Sequence, residues 1–381
     1  MVMEGSGVEQ SGSESKEVEY SGPARLLSLD ALRGFTIFLM LIVNNMALDE
    51  TTPRIVTHAP WNSGVYFADF VFPWFLFCVG LALPYSYTSF CKKGLPRWHF
   101  LLKAAQRTAM LVFLGCLIES SIIKRPLFSL GVLQLIGLAY FTGALLYRFK
   151  WTVRIAVAAV FLLLYGAAIQ FIPVPEIGVG VFEENRNLIH YVNTTVLAPF
   201  HLKGLFSAIP TGALVLIGTV ITDLLRAKTI SEKKKLLIMT AAGAAMTGFS
   251  YLWNFALPFN KTVWTPSYIV LMAGSGTLVL AILYLVIDLY RIQKWAFPFY
   301  VFGSNAIFAY VVPILVKVLI LMVIKIDIGT GSQVSLQQAA ITGLIALLGL
   351  KLGSWSYTAL YILIWWFILY FLYRKKWFIR V

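Results

Sequence analysis

VYFADFVFPWFLFCVGLALPYSYTS, residues 65–89, decides the fold. It holds one charged residue, Asp69, near its start. As a helix rising about 1.5 Å per residue, a run of this length crosses a hydrocarbon core about 30 Å thick. Lipid cannot hydrogen-bond to open backbone, so such a run must close its bonds within a helix. Nine further runs are of the same kind: 32–48, 101–122, 127–147, 153–172, 205–225, 236–257, 267–290, 299–324 and 355–373. The spacing predicts an all-α polytopic transmembrane bundle of about ten spans, with no internal repeat and no second domain.

The composition agrees. Of the 381 residues, 59% are hydrophobic and 13% charged, against about 45–50% apolar and about 25% charged in soluble domains. The net charge of +14 does not point to nucleic acid, because Lys and Arg sit in short clusters between apolar runs. With the N-terminus inside, the inner loops hold Lys92, Lys93 and Arg97, then Arg148, Lys150 and Arg154. They also hold the 226–235 cluster, Arg291 with Lys294, and the terminal RKKWFIRV. The outer loops hold only scattered cations, so the positive-inside rule places both termini in the cytoplasm.

Other segments carry less. Residues 1–24 are polar, without a basic start leading into an apolar stretch, and read as a disordered cytoplasmic tail ahead of one membrane domain, 25–381. Leu336–Leu352 is apolar, but an eleventh span would put the basic C-terminus outside; a re-entrant or interfacial helix is expected. Ser28 and Asp30 suit the start of the first helix, as N-cap and first-turn acid. GAAMTG and AGSG suit close helix packing. Cys78, Cys91 and Cys116 have no metal-ligand spacing and read as buried thiols, so no metal is expected.

Polar residues inside spans are costly and serve as candidates for function. Toward the outer side lie Asn44 on the first helix, His58, Trp61 and Asn62 in HAPWN, and Asp69 at the mouth of the second helix. Toward the inner side lie Arg33, Arg107, Gln134 and Asn305. A phosphate-bearing donor needs cations. An amine acceptor needs a base, for which histidine is matched to neutral pH. An amide donates to the oxyanion of an acyl-transfer intermediate. Each also has a plain structural reading: a solvated loop histidine, an interhelical Asp69 pair, an Arg107 ion pair.

Several blocks resemble a known family. SLDALRGFTIFLMLIVNN from Ser28, HAPWN from His58 and FADFVFPWFLFCVG from Phe67 are similar to the heparan-α-glucosaminide N-acetyltransferase family. VLQLIGLAYF from Val132, KGLFSAIPT from Lys203, NKTVWTPSYIV from Asn260, PFYVFGSNAIFAY from Pro298 and the terminal LYRKKWF follow in the same order. The resemblance implies acetyl-CoA as a cytoplasmic donor and an amino-sugar or glycan acceptor across the membrane. It makes His58 the catalytic histidine and Asn44 its partner. Trp61, Asn62 and Asp69 are expected on the acceptor, and Arg33, Arg107, Gln134 and Asn305 on the donor. The lumenal domain of the lysosomal enzyme has no counterpart in the short tail, so a bacterial inner membrane is expected, or a lysosomal-type one in a eukaryote. Lipid contacts and a homodimer are expected; a nucleic-acid partner is not. The competing reading is a transporter or flippase for a small polar or lipid-linked substrate, which fits the spans but does not require HAPWN.

Overall fold

The computed structural model describes residues 26–47, 49–50, 52–61, 63–126, 130–327 and 333–379. Its order is α1 (Leu27–Asn45), α2 (Phe67–Cys91), α3 (Arg97–Ile123), α4 (Val132–Leu146), α5 (Trp151–Phe171), α6 (Leu188–Tyr191) and α7 (Ala208–Arg226). There follow α8 (Glu232–Ala256), α9 (Pro266–Leu283), α10 (Phe297–Ser304), α11 (Ala306–Val316), a hairpin of β1 (Lys325–Asp327) and β2 (Gln333–Ser335), α12 (Leu336–Leu348) and α13 (Leu350–Arg374).

Among the described residues, eight helices are long and apolar enough to cross a membrane, or nine if the bent α10–α11 pair is one span. The chain is an integral membrane protein. The count falls below the ten expected for two reasons. Among the described residues of the run 127–147, the helix is α4, with 15 residues. The run 299–324 is bent by 67° at Asn305. The run 336–352 is broken at Gly349, whose φ of 80° suits glycine and stops α12 before α13 begins.

α2, α7 and α9 form the buried centre, while α3, α5 and α8 line the rim and present Leu163, Leu164 and Phe255 outward, as lipid-facing helices should. At the α1–α10 crossing, a Cβ on Gly34 would overlap the carbonyl of Phe299, and one on Gly303 would press on Asp30. In GAAMTG and AGSG, Gly243 and Gly274 let α8 and α9 touch backbone to backbone, as expected, whereas a Cβ on Gly248 would meet nothing within 4 Å.

The start of α1 differs from the expected cap. Ser28 is inside the helix, and the cap comes from another element: the Asp288 carboxylate accepts from the backbone N–H groups of Leu27 and Ser28, both at 3.2 Å. Between α5 and α7, buried Arg154 pairs with Asp223 and donates to Thr219 Oγ1 at 2.7 Å, while Tyr147 donates to Asp223 at 3.0 Å. Only Cys78 of the three thiols is buried; Cys91 is exposed and Cys116 half-buried.

Candidate functional site

The site begins with the way α2 starts. Tyr66 caps the helix, and Asp69, three residues on, reaches back: its Oδ2 accepts from the backbone N–H of Tyr66 at 2.9 Å and of Ala59 at 3.1 Å. These bonds hold the carboxylate and tie the HAPWN segment to the helix end. Asp69 is 2% exposed, and its own carbonyl accepts from the Tyr268 hydroxyl at 2.6 Å, which anchors this turn to α9.

With Oδ2 so engaged, Oδ1 faces His58. The His58 Nδ1–Asp69 Oδ1 distance is 2.8 Å. A carboxylate only accepts, so Nδ1 carries the proton and donates, and the lone pair of the neutral ring lies on Nε2. His58 is half-exposed and faces a cavity of about 370 Å³, shared with Trp61, Phe72, Gly131, Asn260, Lys261 and Trp264. The cavity wall includes the start of α4 at Gly131 and Val132.

A cation completes the group. Lys261 Nζ lies 3.5 Å from Asp69 Oδ1, 3.0 Å from His58 Nδ1 and 3.4 Å from His58 Nε2. Nearly equidistant from the two ring nitrogens, Nζ lies over the imidazole face and out of line with the Nε2 lone pair, and its charge partner is the Asp69 carboxylate. Burial disfavours the ammonium and lowers the Lys261 pKa from 10.5, although the Asp69 charge and hydrogen bond oppose this. The turn that presents it is rigid. Asn260 Oδ1 accepts from Val263 N at 3.2 Å, and Thr265 Oγ1 accepts from Asn260 N at 3.0 Å while donating to the Pro258 carbonyl at 3.0 Å. Trp264 is held at φ 55°, an uncommon conformation for a bulky residue and one that recurs at functional sites.

The structure brings His58, Trp61 and Asp69 together and adds Asn260 and Lys261, which the sequence reading passed over. Asn62 lies outside the described residues. Trp61 packs on Phe182 with ring centroids 5.2 Å apart, and its buried indole N–H has no protein partner. Asn44 is not among the cavity residues: it is exposed, and its carbonyl accepts from Lys317 Nζ at 2.8 Å. The inner-side residues are dispersed. Arg33 donates to Asp30 and to the Gly303 carbonyl, holding α1 to α10. Asn305 accepts from Ile379 N at 2.8 Å and donates to the Trp377 carbonyl at 3.1 Å, holding the C-terminal segment at the α10–α11 break. Gln134 is buried between α3 and α4 near Cys116 and Glu119. The Arg107 guanidinium lies 4.6 Å from the Tyr140 ring centroid, with its Nε buried and without a protein partner.

A model of the catalytic region of heparan-alpha-glucosaminide N-acetyltransferase matches residues 25–257, more than half of the chain. The chain belongs to that acetyltransferase family. The human heparan-alpha-glucosaminide N-acetyltransferase is 25% identical over an alignment covering 76% of this chain and 52% of the human protein. The mouse protein is likewise 25% identical, covering 77% of this chain and 54% of its own length. The chain thus spans about half the length of the curated relatives it matches. Within the family match lie the His58–Asp69 pair, Trp61 and the start of α4; Asn260 and Lys261 lie just beyond it.

The missed lysine did leave a trace. Asn260-Lys-Thr has the form of a glycosylation triplet, but Asn260 is 4% exposed and bonded within its turn, so the triplet is structural. A lone cation between two apolar runs, on the side that the charge bias leaves poor in cations, was the available signal.

Proposed function

We propose that the chain transfers the acetyl group of cytoplasmic acetyl-CoA to the amine of an amino-sugar or glycan acceptor on the opposite face of the membrane. The observation that carries this reading is the Asp69–His58 pair opening on a cavity, in a chain of an acetyltransferase family. Asp69 fixes the ring and its tautomer. His58 Nε2 takes the proton from the acceptor nitrogen as that nitrogen attacks the thioester carbonyl, and the CoA sulfur leaves. The same nitrogen is also where a transient acetyl group would be carried.

The oxyanion needs donors. Asn260 faces the cavity with Oδ1 committed to Val263, and its Nδ2 has no protein partner among the described residues. Asn44 reaches the site only if the end of α1 turns inward when substrate binds. Of the cations expected to hold the donor, Arg33 is engaged in packing, whereas Arg107 offers an N–H without a protein partner to a phosphate. Arg107 packs on Tyr140, nine residues along α4 from Gly131 at the cavity wall, a separation of about 14 Å. A long thin pantetheine arm suits that path. The broken α10–α11 pair is the feature a transporter would use, but its Asn305 amide is occupied by the chain's own C-terminal segment.

Sidedness tests the proposal. In sealed vesicles of known orientation, acetyl-CoA added on the side of the C-terminal RKKWFIRV should acetylate glucosamine trapped opposite. Transfer only when acetyl-CoA is added on the His58 side would refute it.

A further inference from the structure

We infer that Lys261 is a catalytic residue of the transfer: its ammonium receives the oxyanion that forms on the acetyl carbonyl when the acceptor amine attacks. The inference rests on the acetyltransferase reading above and adds a charge to the amide donors considered there. Its ground is where Nζ stands relative to the base. Nζ is 3.0 Å from His58 Nδ1 and 3.4 Å from Nε2, over the imidazole face and out of line with the Nε2 lone pair. The attacking nitrogen must lie in that line, about 2.6–3.2 Å from Nε2. Nearly at a right angle to the Nε2–Nζ direction, it then stands about 4–5 Å from Nζ, beyond hydrogen-bond reach. The oxyanion is two bonds farther on. With the carbonyl turned towards the lysine, it comes within about 2.7–3.1 Å of Nζ, the distance at which a donor stabilises developing charge.

Three further observations fit a donor aimed into the cavity. Among the described residues that line it, Lys261 is the one lysine or arginine. An ammonium has three donors; the contact with Asp69 Oδ1 at 3.5 Å engages one, and the side chain is still 27% exposed. Its neighbour Asn260 lines the same cavity, and the turn that carries both is locked by the Asn260–Val263 and Asn260–Thr265 hydrogen bonds. A charge and an amide therefore enter from one rigid element, and donors fixed beforehand need no rearrangement when the charge develops.

The transfer balances with the acetyl thioester and the neutral acceptor amine. The amine lone pair attacks the carbonyl carbon; the N–C bond forms, and the carbonyl π pair moves onto oxygen, opposite Lys261 Nζ. His58 Nε2 takes a proton from the attacking nitrogen. The oxygen pair then returns to carbon, the C–S bond breaks with its electron pair leaving on sulfur, and the His58 proton passes to the thiolate. The products are the N-acetyl amine and the CoA thiol. Lys261 keeps its three protons throughout, and the Asp69 charge beside it favours that form against the effect of burial. The titratable groups that line the cavity with it are His58 and Asp69.

The test compares the full-length wild type, Lys261→Met and Lys261→Arg in detergent, with acetyl-CoA and glucosamine as substrates, kcat and both KM values followed against pH, and Tm read on each sample. In folded Lys261→Met, kcat should fall by about 10²–10³-fold. Both KM values should stay within about threefold of wild type, since the lost contact is made only in the transition state. Lys261→Arg keeps a charge and should retain more of kcat. Wild-type kcat should also decline at alkaline pH, as Lys261 loses its proton below 10.5, and this decline should be absent in Lys261→Arg. A kcat within about threefold of wild type in folded Lys261→Met overturns the inference and leaves the acetyltransferase reading standing. So does a loss confined to the KM for glucosamine, which makes Lys261 an acceptor-binding residue, or one that vanishes as the pH is raised, which makes it act only through the His58 proton. Should Lys261→Met not fold, an alkaline decline unmoved in Lys261→Arg overturns the inference. A wild type that acetylates no glucosamine overturns both.

Discussion

Replacing Asp69 by asparagine separates the chemical role of this carboxylate from its structural one. Both backbone donors, Ala59 and Tyr66, point at Oδ2. The amide oxygen of asparagine must take that place, which turns its NH2 towards His58 Nδ1. A donor now faces Nδ1, so Nδ1 becomes the acceptor and the ring proton moves to Nε2. The nitrogen facing the cavity then has no lone pair for the acceptor. In hydrolases built on an Asp–His pair, the equivalent wrong-tautomer change costs about 10⁴-fold. A loss of about 10³–10⁴-fold is expected here, or about 4–5.5 kcal/mol at 1.36 kcal/mol per decade. Both backbone bonds survive, but Lys261 loses its carboxylate partner, so a lower Tm is expected as well and the rate is compared only on folded protein. The assay is CoA release with glucosamine as acceptor, alongside thermal unfolding in detergent. Turnover within about tenfold of wild type in a folded Asp69→Asn protein would refute the tautomer argument.

Further outcomes follow from other contacts. Asn44→Ala is expected to lower acetyl transfer by about 10²–10³-fold if α1 turns inward; an unchanged rate, with a loss in Asn260→Ala, assigns the oxyanion to Asn260. Arg154→Met strands Asp223, and since that carboxylate is a third exposed the cost should fall at the low end of about 3–5 kcal/mol, with Asp223→Leu recovering part of it, both read as Tm. Gly34→Leu forces a side chain into the Phe299 backbone, and a loss of about 1–3 kcal/mol or more should appear as a lower Tm. The Lys261 pKa is lower folded than unfolded, so the folded protein binds fewer protons between that lowered value and 10.5. The stability of wild type relative to Lys261→Met should therefore rise with pH through that window, as unfolding at graded alkaline pH would report.

The apolar runs made the membrane bundle legible, because a length above about 18 apolar residues has few other uses. The bend at Asn305 was hidden because it depends on tertiary partners such as the Trp377 carbonyl, and the break at Gly349 because a glycine in an apolar-rich run is equally compatible with a continuous helix. The HAPWN–Asp69 half of the site was legible because eleven residues separate His58 from Asp69 and the helix start brings them together locally. Lys261 is about 200 residues away and enters through a turn whose order rests on Asn260 and Thr265. No local pattern marks that pairing. The inner-side arginines and amides shared a depth, and depth alone did not make them neighbours: Arg33 and Asn305 serve packing, and Arg107 stands apart with Tyr140.

The most direct measurement is acetyl transfer by purified His58→Ala protein, made with labelled acetyl-CoA and glucosamine and paired with acetyl-CoA-dependent thermal stabilisation of the same sample. The account predicts that transfer is abolished while stabilisation by acetyl-CoA persists, because the proposal assigns His58 to the acceptor and Arg107 to the donor. Transfer within a few-fold of wild type would contradict it.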